Sequence, residues 1–128
     1  MSHLFPVTVY YEDTDMGGIV YHANYLKFIE RARSDWVRKQ GVDQIALREA
    51  GIAFAVRRIN AEFHAPARLD DRLTVETSVM KAGGARMVLE QVVTRSATSL
   101  FRAEVELAAL DMASGRPARL PEVLRRAE

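Results

Sequence analysis

The strongest constraint on the fold is a change of period near residue 52. Before it, from Asn24 to Gln40, the apolar residues Tyr25, Phe28, Ile29, Ala32 and Trp36 recur at i, i+3, i+4, i+7 and i+11, while Lys27, Glu30, Arg31 and Arg38 take other faces. That spacing predicts one long amphipathic helix. Beyond it the period is two: Ile59, Ala61 and Phe63 alternate with Arg58, Asn60, Glu62 and His64, and Leu73, Val75, Thr77 and Val79 alternate with Thr74, Glu76, Ser78 and Met80. Such alternation predicts half-buried strands. A long helix followed by strands on short turns gives an α+β layer in which an antiparallel sheet wraps the helix. It leaves no repeating βα units from which to wind a parallel sheet.

The other elements come from local chemistry. The β-branched and aromatic run LFPVTVYY, Leu4 to Tyr11, predicts a first strand, with Pro6 where no ladder hydrogen bond is needed. Asn24 is placed to cap the long helix and Gly41 to end it; residues 42–51 predict a second, short helix. Residues 81–86 predict a hairpin turn, 87–95 the next strand, and, after 96–99, a long strand whose Phe101, Ala103, Val105, Leu107 and Ala109 share a face. The tail, 120–128, predicts a terminal helix. A sheet with open edges predicts pairing with a second copy through an edge strand.

Composition bounds the function. A chain of 128 residues predicts a single domain over 1–128, and 18 Lys and Arg against 17 Asp and Glu leave a net charge of +1. Scattered basic residues at that balance argue against nucleic acid as a partner. With no cysteine there is no disulfide framework, thiolate zinc site or cysteine nucleophile. MSHLFPVTVYYED lacks the basic start and apolar run of a signal peptide, so the cytoplasm is the expected compartment. No window approaches the roughly 20 apolar residues of a membrane-spanning helix, so no membrane insertion is expected.

One segment stands out chemically, Tyr10 to His22, where Glu12, Asp13 and Asp15 fall within four positions. Carboxylates so close repel one another. They fit a solvated turn, with Asp13 or Asp15 bonding to nearby backbone, or they include a catalytic carboxylate. The second reading gains from the adjoining residues: Gly17 and Gly18 lead into the start of an apolar helix, whose first N–H groups lack intrahelical partners. Such donors can polarise a carbonyl and stabilise an oxyanion. Asp13 and Asp15 also spell D-x-D, which can hold a divalent cation, but no metal is expected. His3, His22 and His64 are the only histidines, and His3 lies near an end expected to fray. No G-x-S-x-G elbow or G-x-x-x-x-G-K-[ST] loop is present.

The motif YYEDTDMGGIVYHANYLKFIERAR closely resembles the opening of the YbgC-like acyl-CoA thioesterases, Tol-Pal-associated members of the 4-hydroxybenzoyl-CoA thioesterase branch of the hotdog fold. FAVRRINAEFHAPARLDDRLTV resembles the stretch that these enzymes carry after the helix, so the likeness covers essentially the whole chain. It implies a five-stranded antiparallel sheet around one long central helix, a homodimer with sheets joined edge to edge, sites at the subunit interface, and often a dimer-of-dimers tetramer. It also implies thioester hydrolysis with acyl-CoA, or an acyl carrier protein, as the substrate partner and no cofactor.

Carried over by position, the family's aspartate falls on Asp15, which attacks the thioester carbonyl or activates water. The N–H at His22 is where the branch polarises that carbonyl, and the His22 side chain and Tyr11 match positions around the site. Gly17, Gly18, Val20 and Tyr21 complete the motif and are expected to contact substrate. An aspartate is ionised at neutral pH, which suits a nucleophile or base. Coenzyme A carries phosphates, and Arg57 with Arg58 leads the basic candidates, ahead of Arg68, Lys81 and Arg86. Met16 stands where relatives often have a small residue, a point that bears on pocket size. The competing readings are a hotdog module that binds acyl-CoA or a protein without turnover, and a hotdog hydratase or dehydratase.

Overall fold

The computed structural model describes residues 2–127. The period change is realised as strand β1 (His3–Thr8), helices α1 (Asn24–Lys39) and α2 (Gln44–Glu49), strands β2 (Ile52–Phe63), β3 (Arg72–Gly83), β4 (Arg86–Arg95) and β5 (Thr98–Asp111), and a short helix α3 (Glu122–Arg125). The strands form one antiparallel sheet in the order β1-β3-β4-β5-β2. The predicted stripe of α1 is the buried one: Tyr25, Phe28, Ile29, Ala32 and Trp36, joined by Val37, face the sheet. Phe28, Ile29 and Ala32 pack in one cluster with Val75, Leu89, Val93, Phe101 and Val105, all without accessible surface. Each large side chain so buried contributes about 1.5–3 kcal/mol.

One polar group crosses this interior. Gln91 on β4 is fully buried, and its amide donates to the Ile29 carbonyl at 2.9 Å and to Thr77 Oγ1 at 3.0 Å. Arg33 donates to Gln91 Oε1 at 2.9 Å. Burial lowers the Arg33 pKa, with Glu30 opposing. Directional bonds to a helix carbonyl and a strand hydroxyl fix how α1 lies along the sheet, which apolar packing alone does not.

The two sheet edges differ. β1 is six residues long and carries Pro6, which cannot donate to a neighbouring strand. β2 is twelve residues long, with Val56, Ile59 and Phe63 at 47, 37 and 55% exposure. The alternation in β2 predicted a half-buried face; at this edge it is largely open, because α1 packs toward β3 and β1. The β4–β5 turn places Ser96 and Ala97 at φ 49° and 67°, a left-handed conformation that residues with a Cβ resist.

Three local expectations are corrected. β1 stops at Thr8, and Tyr11–Asp13 form a 3-10 turn instead of a strand end. Asn24 does not cap α1: it is the first helical residue, Ala23 holds the cap position, and the Asn24 amide reaches back to the Asp13 carbonyl at 2.9 Å. His3 is anchored, with its ring nitrogen 2.8 Å from Asp35 on α1, and that contact holds the Asp35 carboxyl below its usual range. Gly41, at φ 88°, ends α1 as predicted.

Candidate active site

The loop between β1 and α1 holds its shape almost entirely through hydrogen bonds, since Val20 is the only buried residue between Val9 and Tyr25. Tyr10 N–H donates to Asp13 Oδ2 at 2.8 Å, Tyr21 N–H to the Asp13 carbonyl at 2.9 Å, and Asp15 N–H to the Ile19 carbonyl at 2.9 Å. Asp15 Oδ1 accepts from Gly17 N–H at 2.8 Å, and its backbone carbonyl accepts from Gly18 N–H at 3.0 Å. Gly18 turns the chain at φ 74°, where a Cβ is disfavoured, and a Cβ on Gly17 would sit 3.2 Å from Asp15 Oδ1. Both features of the solvated-turn reading are thus present. The Asp15 side chain is exposed, and one of its oxygens, Oδ2, remains uncommitted among the described residues.

The same loop ends on free donors. The backbone N–H groups of His22 and Ala23 make no hydrogen bond among the described residues, and no side chain caps α1. They stand at the positive end of the helix dipole. Beside them opens a cavity of about 370 Å³ lined by Ile19, Val20, His22, Tyr25 and the segment Phe63 to Pro66. Packed rings form one part of its wall: Phe63 lies edge-on to Tyr25 at 5.7 Å, His22 meets Phe63 at 6.3 Å, and behind them Tyr25 stacks on Phe101 with ring centres 4.9 Å apart. The Tyr25 hydroxyl accepts from Ala67 N–H at 3.1 Å, and burial pushes its pKa up against that bond.

The far wall is tied to the loop. Val20 N–H donates to the Ala67 carbonyl at 2.9 Å, and Ile19 forms a β-bridge with Arg68. The sequence alone assigns none of Phe63, His64, Ala65 and Pro66 to a substrate site. The only signal was their place in the second resembling stretch, because strand alternation assigns Phe63 to packing.

Of the residues singled out, Val20 and His22 share this cavity. Tyr11 is 83% exposed and Met16 fully exposed; neither lines it, nor does Tyr21, whose ring lies 4.6 Å from that of His22. Arg57 and Arg58 lie elsewhere. A bulge interrupts the register between Val56 and Arg58, with Arg58 opposite Glu106 and Arg57 Nη1 4.0 Å from its carboxylate. Phe63 lies six positions beyond Arg57, roughly 20 Å along β2. Glu106 also lines a cavity of about 520 Å³ with Lys81 and Arg86. Among the described residues no group of three metal-ligating side chains occurs, and no helix is long and apolar enough to cross a membrane.

Residues 9–127 match a family model described as the thioesterase-like superfamily. This chain is a member of that superfamily. It is 44% identical over 119 residues, 92% of this chain and 89% of the relative, to the acyl-CoA thioester hydrolase YbgC of Escherichia coli O6:H1. It is 42% identical over 124 residues, covering 96% and 91%, to the acyl-CoA thioesterase YbgC of Haemophilus influenzae. Among solved structures, a probable thioesterase from Bartonella henselae superposes with a TM-score of 0.87 at 38% identity, covering 94% of this chain and all of the other. Slr0204, a 1,4-dihydroxy-2-naphthoyl-CoA thioesterase from Synechocystis, superposes at 0.91 with 25% identity, covering 99% and 95%. The resemblance read from the loop motif is borne out, and so are the α+β hotdog fold and the thioester-hydrolase class.

Proposed function

We propose that this superfamily member hydrolyses acyl-CoA thioesters to a free acid and coenzyme A, with Asp15 as nucleophile or general base. The observation that carries this is one short loop that holds a carboxylate with a free oxygen and the unpaired N–H groups of His22 and Ala23, with an apolar cavity lined by His22 and the end of β2, though not by Asp15 itself. A thioester carbonyl oxygen received by those amides gains charge stabilisation as it becomes an oxyanion, commonly worth 10²–10³ in rate per donor. Either the Asp15 carboxylate bonds to the carbonyl carbon, expelling the thiolate and leaving an anhydride for water to open. Or it takes a proton from a water whose oxygen forms that bond as the C–S bond breaks.

In this reading Gly17 and Gly18 keep the loop tight enough to present Asp15, and Val20 lines the acyl cavity. The His22 ring borders the site with Tyr21 against it, and Tyr11, exposed on the same loop, reaches substrate only from outside the cavity. The basic corner of Arg57, Arg58, Lys81 and Arg86 receives the carrier's phosphates. The open β2 edge joins a second copy, as a homodimer or as half of a tetramer, and the whole chain, 1–128, works as one domain in the cytoplasm. The relatives named as acyl-CoA thioester hydrolases support the reaction class.

The test is release of free thiol from a panel of acyl-CoAs by the wild type and by Asp15→Asn. Loss of a nucleophile or base should lower kcat by at least about 10². An Asn variant that keeps more than about a tenth of wild-type activity removes Asp15 from the role. Tight acyl-CoA binding in calorimetry without thiol release would make the chain a binding module instead.

A further inference from the structure

At the end of β4, Arg95 donates through Nη1 to Asp71 Oδ2 at 2.6 Å and to the Pro66 carbonyl at 3.3 Å. The same Asp71 oxygen accepts from Arg68 N–H at 2.8 Å. The Asp71 carbonyl accepts from Val9 N–H at 2.9 Å, and Asp70 N–H donates to the Val9 carbonyl at 3.0 Å. Neither the Arg95 nor the Asp71 side chain lines the cavity. Yet the segment they hold, 64–71, is the one whose Ala67 carbonyl accepts from Val20 N–H and whose Arg68 bridges Ile19, and the Ile19 carbonyl in turn accepts from Asp15 N–H. A continuous run of hydrogen bonds therefore leads from a guanidinium on the sheet to the backbone of the reacting carboxylate. Little apolar burial backs it up, because Ala67 is the only fully buried residue from 64 to 71.

We propose that Arg95 and Asp71 are positioning residues for the reaction: their ion pair sets the place of the 64–71 segment and, through it, of the Asp15 loop. The inference rests on the catalytic reading of Asp15. Catalytic groups displaced by about 1 Å can lose around 10² in rate, so a remote clamp acts on turnover without touching substrate. It also acts locally, since the helix and sheet core are held by apolar packing that the clamp does not share.

The experiment compares wild type, Arg95→Met, Arg95→Lys and Asp71→Asn in two readouts. In amide hydrogen exchange, Arg95→Met should speed exchange at Asp15 and Val20 by about tenfold or more, against a much smaller rise at Leu89 and Val105 in the sheet. In thioester hydrolysis, kcat should fall about tenfold with KM changed less than about threefold, and Arg95→Lys should recover part of the loss. Should Arg95→Met fail to fold, Asp71→Asn, which keeps the side-chain shape, makes the same comparison. Unchanged exchange at Asp15 and Val20, or an equal rise at Leu89 and Val105, overturns the proposal, as does a clamp variant with wild-type kcat. A wild type that hydrolyses no thioester defeats the proposed function instead, and the exchange result still decides whether the clamp holds the loop.

Discussion

Helix α1 and the loop that leads into it are neighbours in sequence but are held by different forces. From Tyr25 onward the chain buries one apolar residue per turn or more against the sheet, and many partners share each contact. From Tyr10 to His22 almost nothing is buried, and single hydrogen bonds to particular atoms decide the path. Apolar burial is non-directional and tolerant of small shifts, whereas a bond such as Gly17 N–H to Asp15 Oδ1 has one geometry. On the proposed reading of Asp15, the difference puts stability and turnover in separable parts of one short stretch of chain.

The largest test of that separation is Phe28→Ala. Emptying a site with no accessible surface should cost about 3–5 kcal/mol in urea denaturation. Below the lowered melting temperature, kcat per folded molecule should stay within about threefold of wild type; a proportionate loss of kcat would show that the two parts are coupled.

Gly17→Ala presses from the other side. The added methyl meets Asp15 Oδ1 at 3.2 Å, so kcat should fall by roughly tenfold while stability moves by less than about 0.5 kcal/mol. Unaltered kcat in steady-state assays would detach the carboxylate's orientation from the reaction.

The smallest effect is in acid. Burial alone raises the Asp71 carboxyl, but the Arg68 N–H and the Arg95 guanidinium outweigh it and hold the group below the usual carboxylate range. A depressed folded-state pKa stabilises above the unfolded value, near 4, and that contribution fades as pH drops through the folded value. In denaturation curves between about pH 5 and 3, Asp71→Asn should therefore show a shallower loss of stability than wild type. Parallel curves would mean that the pair contributes nothing to folding.

What could be read in the sequence divides along the same line. The buried face of α1, the strands and the 81–86 hairpin are legible in periodicity, because burial repeats with the geometry of helix and strand. His3 on Asp35, the Asn24 amide on Asp13 and the Arg95–Asp71 clamp join residues 32, 11 and 24 positions apart through single polar contacts. No period records such pairings. The loop chemistry was legible only as a motif: it named Asp15 and His22, but not Phe63 to Pro66, which the fold brings to the cavity beside His22. Arg57 and Arg58 read as one spot of charge, and the bulge does bring both beside Glu106, which offsets part of that charge.

The open β2 edge also bears on how a cell must handle this chain. From Val56 to Phe63 most of β2 is open ladder with no proline, bearing Val56, Ile59 and Phe63, and such an edge is a template onto which an extended segment can zip. A lone protomer is thus an aggregation hazard from the moment it leaves the ribosome, and synthesis in excess of whatever covers that edge carries a cost in proteostasis that the short, proline-bearing β1 edge does not impose.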